Sequence, residues 1–212
     1  MRYVRLLTVL ACAVILAGCA GTGEEKKMAG NTFGDDIKFL KKHTDVVLLS
    51  DASGDSQVAV LPKMQGRVMT SSADGAGGLS YGWINRELVA SGEFVEHINV
   101  FGGEDRFWIG PEGGQFSIFF KNDVPFDLEH WFTPAPIDTE PFDLVSTSKN
   151  RAVLKKDMRL ENYSGTVFNL TVDREVRVLG KDEAVSDLGI APAENCLLYT
   201  SPSPRDLSTS RM

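Results

Sequence analysis

Between residues 20 and 195 the chain has no cysteine, its three being Cys12, Cys19 and Cys196. Disulfide, zinc–thiolate and cysteine-nucleophile chemistry are therefore excluded across that span. Positive charge is scarce as well. Lysine and arginine number 22 against 29 aspartates and glutamates, a formal net charge of −7, which argues against a nucleic-acid partner because phosphate recognition wants a basic face. No apolar run is long enough to cross a bilayer. The glycine-rich residues 74–78 are followed by neither Gly-Lys-Ser/Thr nor a helical pattern, so they read as a flexible connection and not as a phosphate cradle. No internal repeat is evident, and no cofactor is expected.

What is present at the ends assigns them separately from the middle. Arg2 and Arg5 precede a short apolar run from Leu6 to Leu16, the pattern of a signal peptide over residues 1–18. The run closes on Leu16-Ala17-Gly18-Cys19, which resembles a bacterial lipobox. Cleavage before Cys19 and acylation of its thiol and amine would give the more-than-one-chain anchor that stable membrane attachment requires. Ala20 after it favours the outer membrane by analogy with lipoprotein sorting. Residues 19–31 then form a lipidated tether, small, charged and aperiodic. From Cys196 to Met212 the sequence resembles the in-frame translation of a transposon-based sequencing adapter, and this tail is set aside as artefact. The expected folded domain is residues 32–195, a truncated one on this reading.

Within it the periodicity starts helical and turns to strand. Thr32 is placed to cap a short helix with Asp35 and Asp36 in its first turn and Phe33, Ile37 and Leu40 at helical spacing, ending near Lys42 and His43. Residues 46–49 and 57–61 then read as a β-hairpin around the turn at 51–54, with a further strand at 66–71. Phe94, Ile98 and Val100 alternate with Val95, His97, Asn99 and Phe101, predicting a strand over 93–101 with His97 in its middle. Phe116, Ile118 and Phe120 predict a core strand in the same way. The clearest pattern is a long antiparallel hairpin, 152–161 and 167–179, flanking Asn162-Tyr163-Ser164-Gly165. Asn162 and Asn169 match glycosylation sequons but read as hairpin residues, given the bacterial lipobox.

Three stretches concentrate recognition chemistry. Residues 101–120 hold Glu104, Asp105, Arg106, Trp108 and Glu112 between the pairs Gly102-Gly103 and Gly113-Gly114. Arg106, Trp108 and Glu112 are candidate ligand-binding residues; Arg106 and Glu112 could equally form an ion pair beneath the loop. Glu104, Asp105 and Glu112 lack calcium-loop spacing, so no metal site is expected. Residues 81–86 mix Tyr81 and Trp83 with Asn85 and Arg86, a composition suited to a polar, ring-shaped ligand, although Trp83 could instead pack in the core. Residues 126–136 form an aromatic, proline-rich segment in which Trp131 is a further candidate contact. Asp127, Glu129 and His130 accompany it, and His130 is the one catalytic candidate, with a structural role equally open.

Residues 102–117, Phe126 to Thr133, Asn162 to Thr166 and Asp173-Arg174-Glu175 together resemble DUF6786, a bacterial family. The strand order and the Gly-Gly…Trp…Pro-Glu pattern are also similar to the N-terminal half of galactose-mutarotase-like supersandwich proteins. The resemblance implies a mainly β, antiparallel sandwich with one short N-terminal helix. It also implies a carbohydrate-binding surface on a membrane-anchored envelope protein, with aldose-epimerase-like or other sugar-processing activity as an extension. In epimerases of that superfold a histidine and a glutamate work as acid and base at the anomeric centre. No matching histidine motif surrounds His97 or His130, so catalysis is not carried over. The alternative function is a non-enzymatic envelope protein whose aromatic loops serve a partner or close the sandwich.

Overall fold

The computed structural model describes residues 31–189; the signal peptide, Cys19, nearly all of the tether and the tail from Cys196 lie outside the described residues. Helix α1 spans Phe33–His43. Thr32 caps it, its Oγ1 accepting from the Asp35 N–H at 3.2 Å. Asp35 and Asp36 sit at the positive end of the helix dipole and Lys41, Lys42 and His43 at the negative end. Phe33, Ile37 and Leu40 make the buried stripe.

The chain then builds two three-stranded antiparallel sheets. In the first, β1 (Val47–Ser50), β2 (Gln57–Leu61) and β3 (Arg67–Ser72) run as a meander. Both of its faces are covered, so β2 reads as a near-continuous apolar run. Ala59 and Leu61 turn toward α1, with Met69, while Val60 packs with Leu49 and Val68 toward the second sheet. In the second, β4 (Asp143–Thr147), β5 (Arg151–Glu161) and β6 (Val167–Arg177) follow in order. Ala152, Leu154, Met158 and Leu160 of β5 and Val176 of β6 form its inner face. Asn162 accepts from the Thr166 N–H at 2.9 Å and closes the β5–β6 turn, the hairpin role expected of it. Between the sheets lie Phe119, Phe120, Ile137 and Phe142, so the whole is a β-sandwich with a helix on one outer face.

Two expected strands do not form. Residues 93–101 run as loop: His97 takes a φ of +68°, and the Asn99 side chain accepts from the Val95 N–H at 2.8 Å and donates to the Val95 carbonyl at 3.2 Å. That exchange closes the chain on itself where a ladder would have extended it. Phe94 and Val100, placed together on one face of that strand, are both exposed. Residues 115–120 are turns and bends, because the Ser117 N–H donates to Gly114 O at 3.0 Å and Ser117 Oγ accepts from the Phe119 N–H at 3.1 Å. Adjacent Phe119 and Phe120 are both buried while Phe116 is 63% exposed, the reverse of alternation. Besides α1, the described residues include short helices α2 (Arg86–Ser91), α3 (Ala135–Asp138) and α4 (Lys181–Leu188). The single turn α3 tolerates Pro136 because a first-turn N–H has no helical partner to lose.

Candidate ligand-binding cleft

Strand β3 is buried along its full length although it carries Arg67, Thr70, Ser71 and Ser72. Those polar groups hold loops against its outer edge. The Glu104 N–H donates to Val68 O at 2.9 Å and the Val68 N–H to Asp105 O at 3.0 Å, while the Tyr81 N–H reaches Ser71 O at 3.1 Å. Thr70 Oγ1 pairs with Ser80 Oγ at 2.6 Å and accepts from the Gly82 N–H at 3.0 Å. The two loops are also joined to each other, Gly103 N–H to Trp83 O at 2.9 Å and Asn85 N–H to Phe101 O at 3.0 Å. Close backbone approach makes this possible: a Cβ on Gly82 would overlap the Met69 carbonyl oxygen, and one on Gly102 the Trp83 carbonyl oxygen.

The seam opens into a cleft of about 300 Å³ lined by Tyr81, Gly82, Trp83, Gly103 and Glu104. That volume is at the small end of ligand sites. Trp83 is 61% exposed and Tyr81 39%. The Glu104 carboxylate accepts from the Ser71 N–H at 2.7 Å and from Ser71 Oγ at 2.9 and 3.1 Å. Burial pushes its pKa above the usual carboxylate range, and the Ser71 donors offset part of that. A raised carboxyl pKa favours the folded state below the unfolded-state value and loses that contribution as pH rises through the folded-state value. Glu104→Gln does not titrate, so its stability relative to wild type rises across the same interval, which paired urea melts at stepped pH will read.

The residues singled out from the sequence fall into separate places. Arg106, Trp108, Glu112 and Trp131 come together in one stack. The Arg106 guanidinium lies 4.2 Å from the Trp108 ring centre, Trp108 is 5.1 Å from Phe119, and Phe119 lies parallel to Trp131 at 5.1 Å. Trp108 Nε1 donates to Glu112 Oε1 at 2.8 Å. Arg106 pairs with Asp138 and not with Glu112, at 3.4 Å, and donates to Ile137 O at 2.9 Å. Asn85 caps α2, accepting from the Leu88 N–H at 3.1 Å, and Arg86 pairs with Asp36 above the Phe39 ring. His130 pairs with Asp127 through Nδ1 at 2.6 Å and lines neither the cleft nor the groove described next. Trp83 is not in the core. Glu104 is the cleft residue that sequence reasoning considered only as a metal ligand; the neighbouring glycine pair was its one signal. Among the described residues no three histidines, cysteines, aspartates or glutamates are grouped to hold a metal.

A larger groove, about 380 Å³, runs between residues 118–122, 132–136 and 159–162. Its lining includes Phe119, Phe120, Phe132, Pro134 and Pro136 together with the charged Lys121, Arg159 and Glu161, of which Arg159 and Glu161 lie 3.6 Å apart as a pair. It has no desolvated carboxyl like that of the smaller cleft.

Fold and cleft define a class: an antiparallel β-sandwich with a loop-built, aromatic-flanked concavity along one sheet edge. Residues 31–201 match the family described as "Family of unknown function (DUF6786)", and the chain belongs to that family. No curated protein and no solved structure matches it.

Proposed function

We propose that the protein is a lipid-anchored carbohydrate-recognition module of the bacterial envelope, with a sugar ring seated beside Trp83 and Tyr81 and its hydroxyls donating to Glu104. The observation that carries this reading is a 61% exposed indole beside a partly buried carboxylate, on loops whose backbones are bonded to each other and to β3. An aromatic ring offers an apolar surface to the C–H face of a sugar, and a carboxylate accepts from two hydroxyls at once. Preformed loops reduce the ordering cost of binding. The lipobox supports the anchor. Sugar processing is the second reading, favoured by the His130–Asp127 pair, whose free Nε2 would have to move the proton. Because that pair does not line the cleft, recognition without turnover is the better supported of the two.

Trp83→Ala is expected to weaken glycan binding by at least roughly tenfold, the factor that about 1.4 kcal/mol supplies. Its melting curve should stay within about 0.5 kcal/mol of wild type, as for an exposed side chain. A glycan array followed by titration of the best ligand reads the first, and thermal denaturation the second. Undiminished binding by a folded Trp83→Ala protein removes the cleft as the sugar site.

A further inference from the structure

We infer that the ligand of this cleft carries an organic ammonium group, held by the Glu104 carboxylate beside the Trp83 and Tyr81 rings; as an amino sugar it rests on the carbohydrate reading above. Tyr81, Gly82, Trp83 and Gly103 complete the lining and none carries positive charge. Among the described residues Glu104 forms no ion pair, and its carboxylate oxygens accept only from Ser71. The cations on neighbouring segments are committed elsewhere. Arg67 donates to Gly102 O and, at 3.0 Å, to Gln65 Oε1; Arg174 pairs with Asp105, and Arg106 with Asp138.

A neutral sugar would satisfy the lone pairs of Glu104 and leave its charge without a counterion. Taking a carboxylate out of water without one is costly, so an incoming cation gains where a hydroxyl does not. The rings add to the same preference, because an ammonium is drawn to the negative face of an indole or phenol. An anionic ligand meets the opposite field.

Ammonium binding at Glu104 carries a pH signature with a definite sign. Burial raises the Glu104 pKa in the free protein, and a bound ammonium favours the ionised form. Binding therefore releases a proton between the bound and free pKa values, and affinity rises with pH over that interval to a plateau above it.

Three probes separate the possible sources of the cation: a glucosamine tetramer, its N-acetylated counterpart, and tetramethylammonium, which has no proton to lose. Calorimetric titration of the whole chain should show the glucosamine tetramer binding about tenfold more tightly than the acetylated one while its amines are charged. Glu104→Gln should erase that preference, and Trp83→Ala should weaken both. Tetramethylammonium affinity should climb with pH in wild type and stay flat in Glu104→Gln. Equal affinity for the two tetramers, or a preference that survives Glu104→Gln, overturns the ammonium inference and leaves the carbohydrate reading standing. Binding of tetramethylammonium with neither sugar keeps the cation site and overturns the carbohydrate reading. No binding of any probe overturns both.

Discussion

Replacing Asp138 with alanine should cost about 3–5 kcal/mol of unfolding free energy, the penalty of stripping a buried charge of its partner. For a domain of ordinary stability that is a fifth or more of the total. Asp138 is 3% exposed, and its carboxylate accepts from the Asn99 N–H at 3.0 Å, from Asn99 Nδ2 at 2.8 Å and from Arg106 at 3.4 Å. Without it the Asn99 backbone loses its acceptor, and Arg106 keeps only Ile137 O and the Trp108 ring. The surroundings make the loss worse. Arg67 is 2% exposed and among the described residues pairs directly with no carboxylate, and burial together with the neighbouring Arg106 draws its pKa down to about 10, against the opposing pull of Asp138 and Asp105. Arg67, Arg106 and Arg174 thus share Asp105 and Asp138, and the variant leaves one carboxylate among three guanidinium groups. Urea melts of Asp138→Ala, of Arg106→Met and of the double variant test this as a cycle. The double variant should recover part of the loss, because it removes the stranded cation as well. A loss below about 1 kcal/mol for Asp138→Ala, within the range of an ordinary surface change, would show that the network does not hold the loops.

The elements legible in the sequence are those whose cause is local. Thr32, Asp35, Phe33, Ile37 and Leu40 specify α1 within a dozen residues, and the β5–β6 hairpin follows from alternation on either side of a turn that Asn162 closes itself. The strands expected at 93–101 and 116–120 give way to local side-chain turns, and the loop around them is fixed at a distance. Asn99 and Arg106 are tied to Asp138, and Asp105 to Arg174 on β6, across separations of 39, 32 and 69 residues. Alternating apolar residues there mimic a strand, while the backbone follows the polar ties. Strand β3 shows the same effect in reverse. Thr70, Ser71 and Ser72 give it a half-solvated look, yet all are buried because the hydroxyls of Thr70 and Ser71 meet incoming loops.

The candidate site was legible as composition and not as geometry. Tyr81 and Trp83 stood out as aromatics among polar residues, but nothing in the spacing joins them to Glu104 some twenty positions on. Arg106, Trp108 and Trp131 stood out for the same reason and come together in a stack around Phe119. Aromatic and guanidinium groups serve packing and recognition equally well, so residue type alone does not separate a platform at the surface from one inside.

The second large effect joins the fold to the site through glycine. Gly102→Ala should lower stability by roughly 2–5 kcal/mol, combining backbone strain with overpacking, and should abolish ligand binding. Gly102 has a φ of +94°, and a Cβ there would overlap the Trp83 carbonyl oxygen, which the Gly103 N–H holds at 2.9 Å. Two other glycines separate the causes. Gly114 has a φ of +82° with open space around its would-be Cβ, so Gly114→Ala should lose only the conformational part, about 1–2 kcal/mol. Gly82 is not in the left-handed region, yet its Cβ would overlap Met69 O, so Gly82→Ala isolates the packing part. Thermal melts should therefore rank Gly114→Ala above Gly82→Ala, with Gly102→Ala lowest. Binding should follow a different division, kept in Gly114→Ala and lost in the other two, because only those force the Trp83 loop away from Glu104. If Gly102→Ala melts alongside Gly114→Ala and still binds, the Trp83 and Glu104 loops are not held by close backbone contact and the cleft is not preformed.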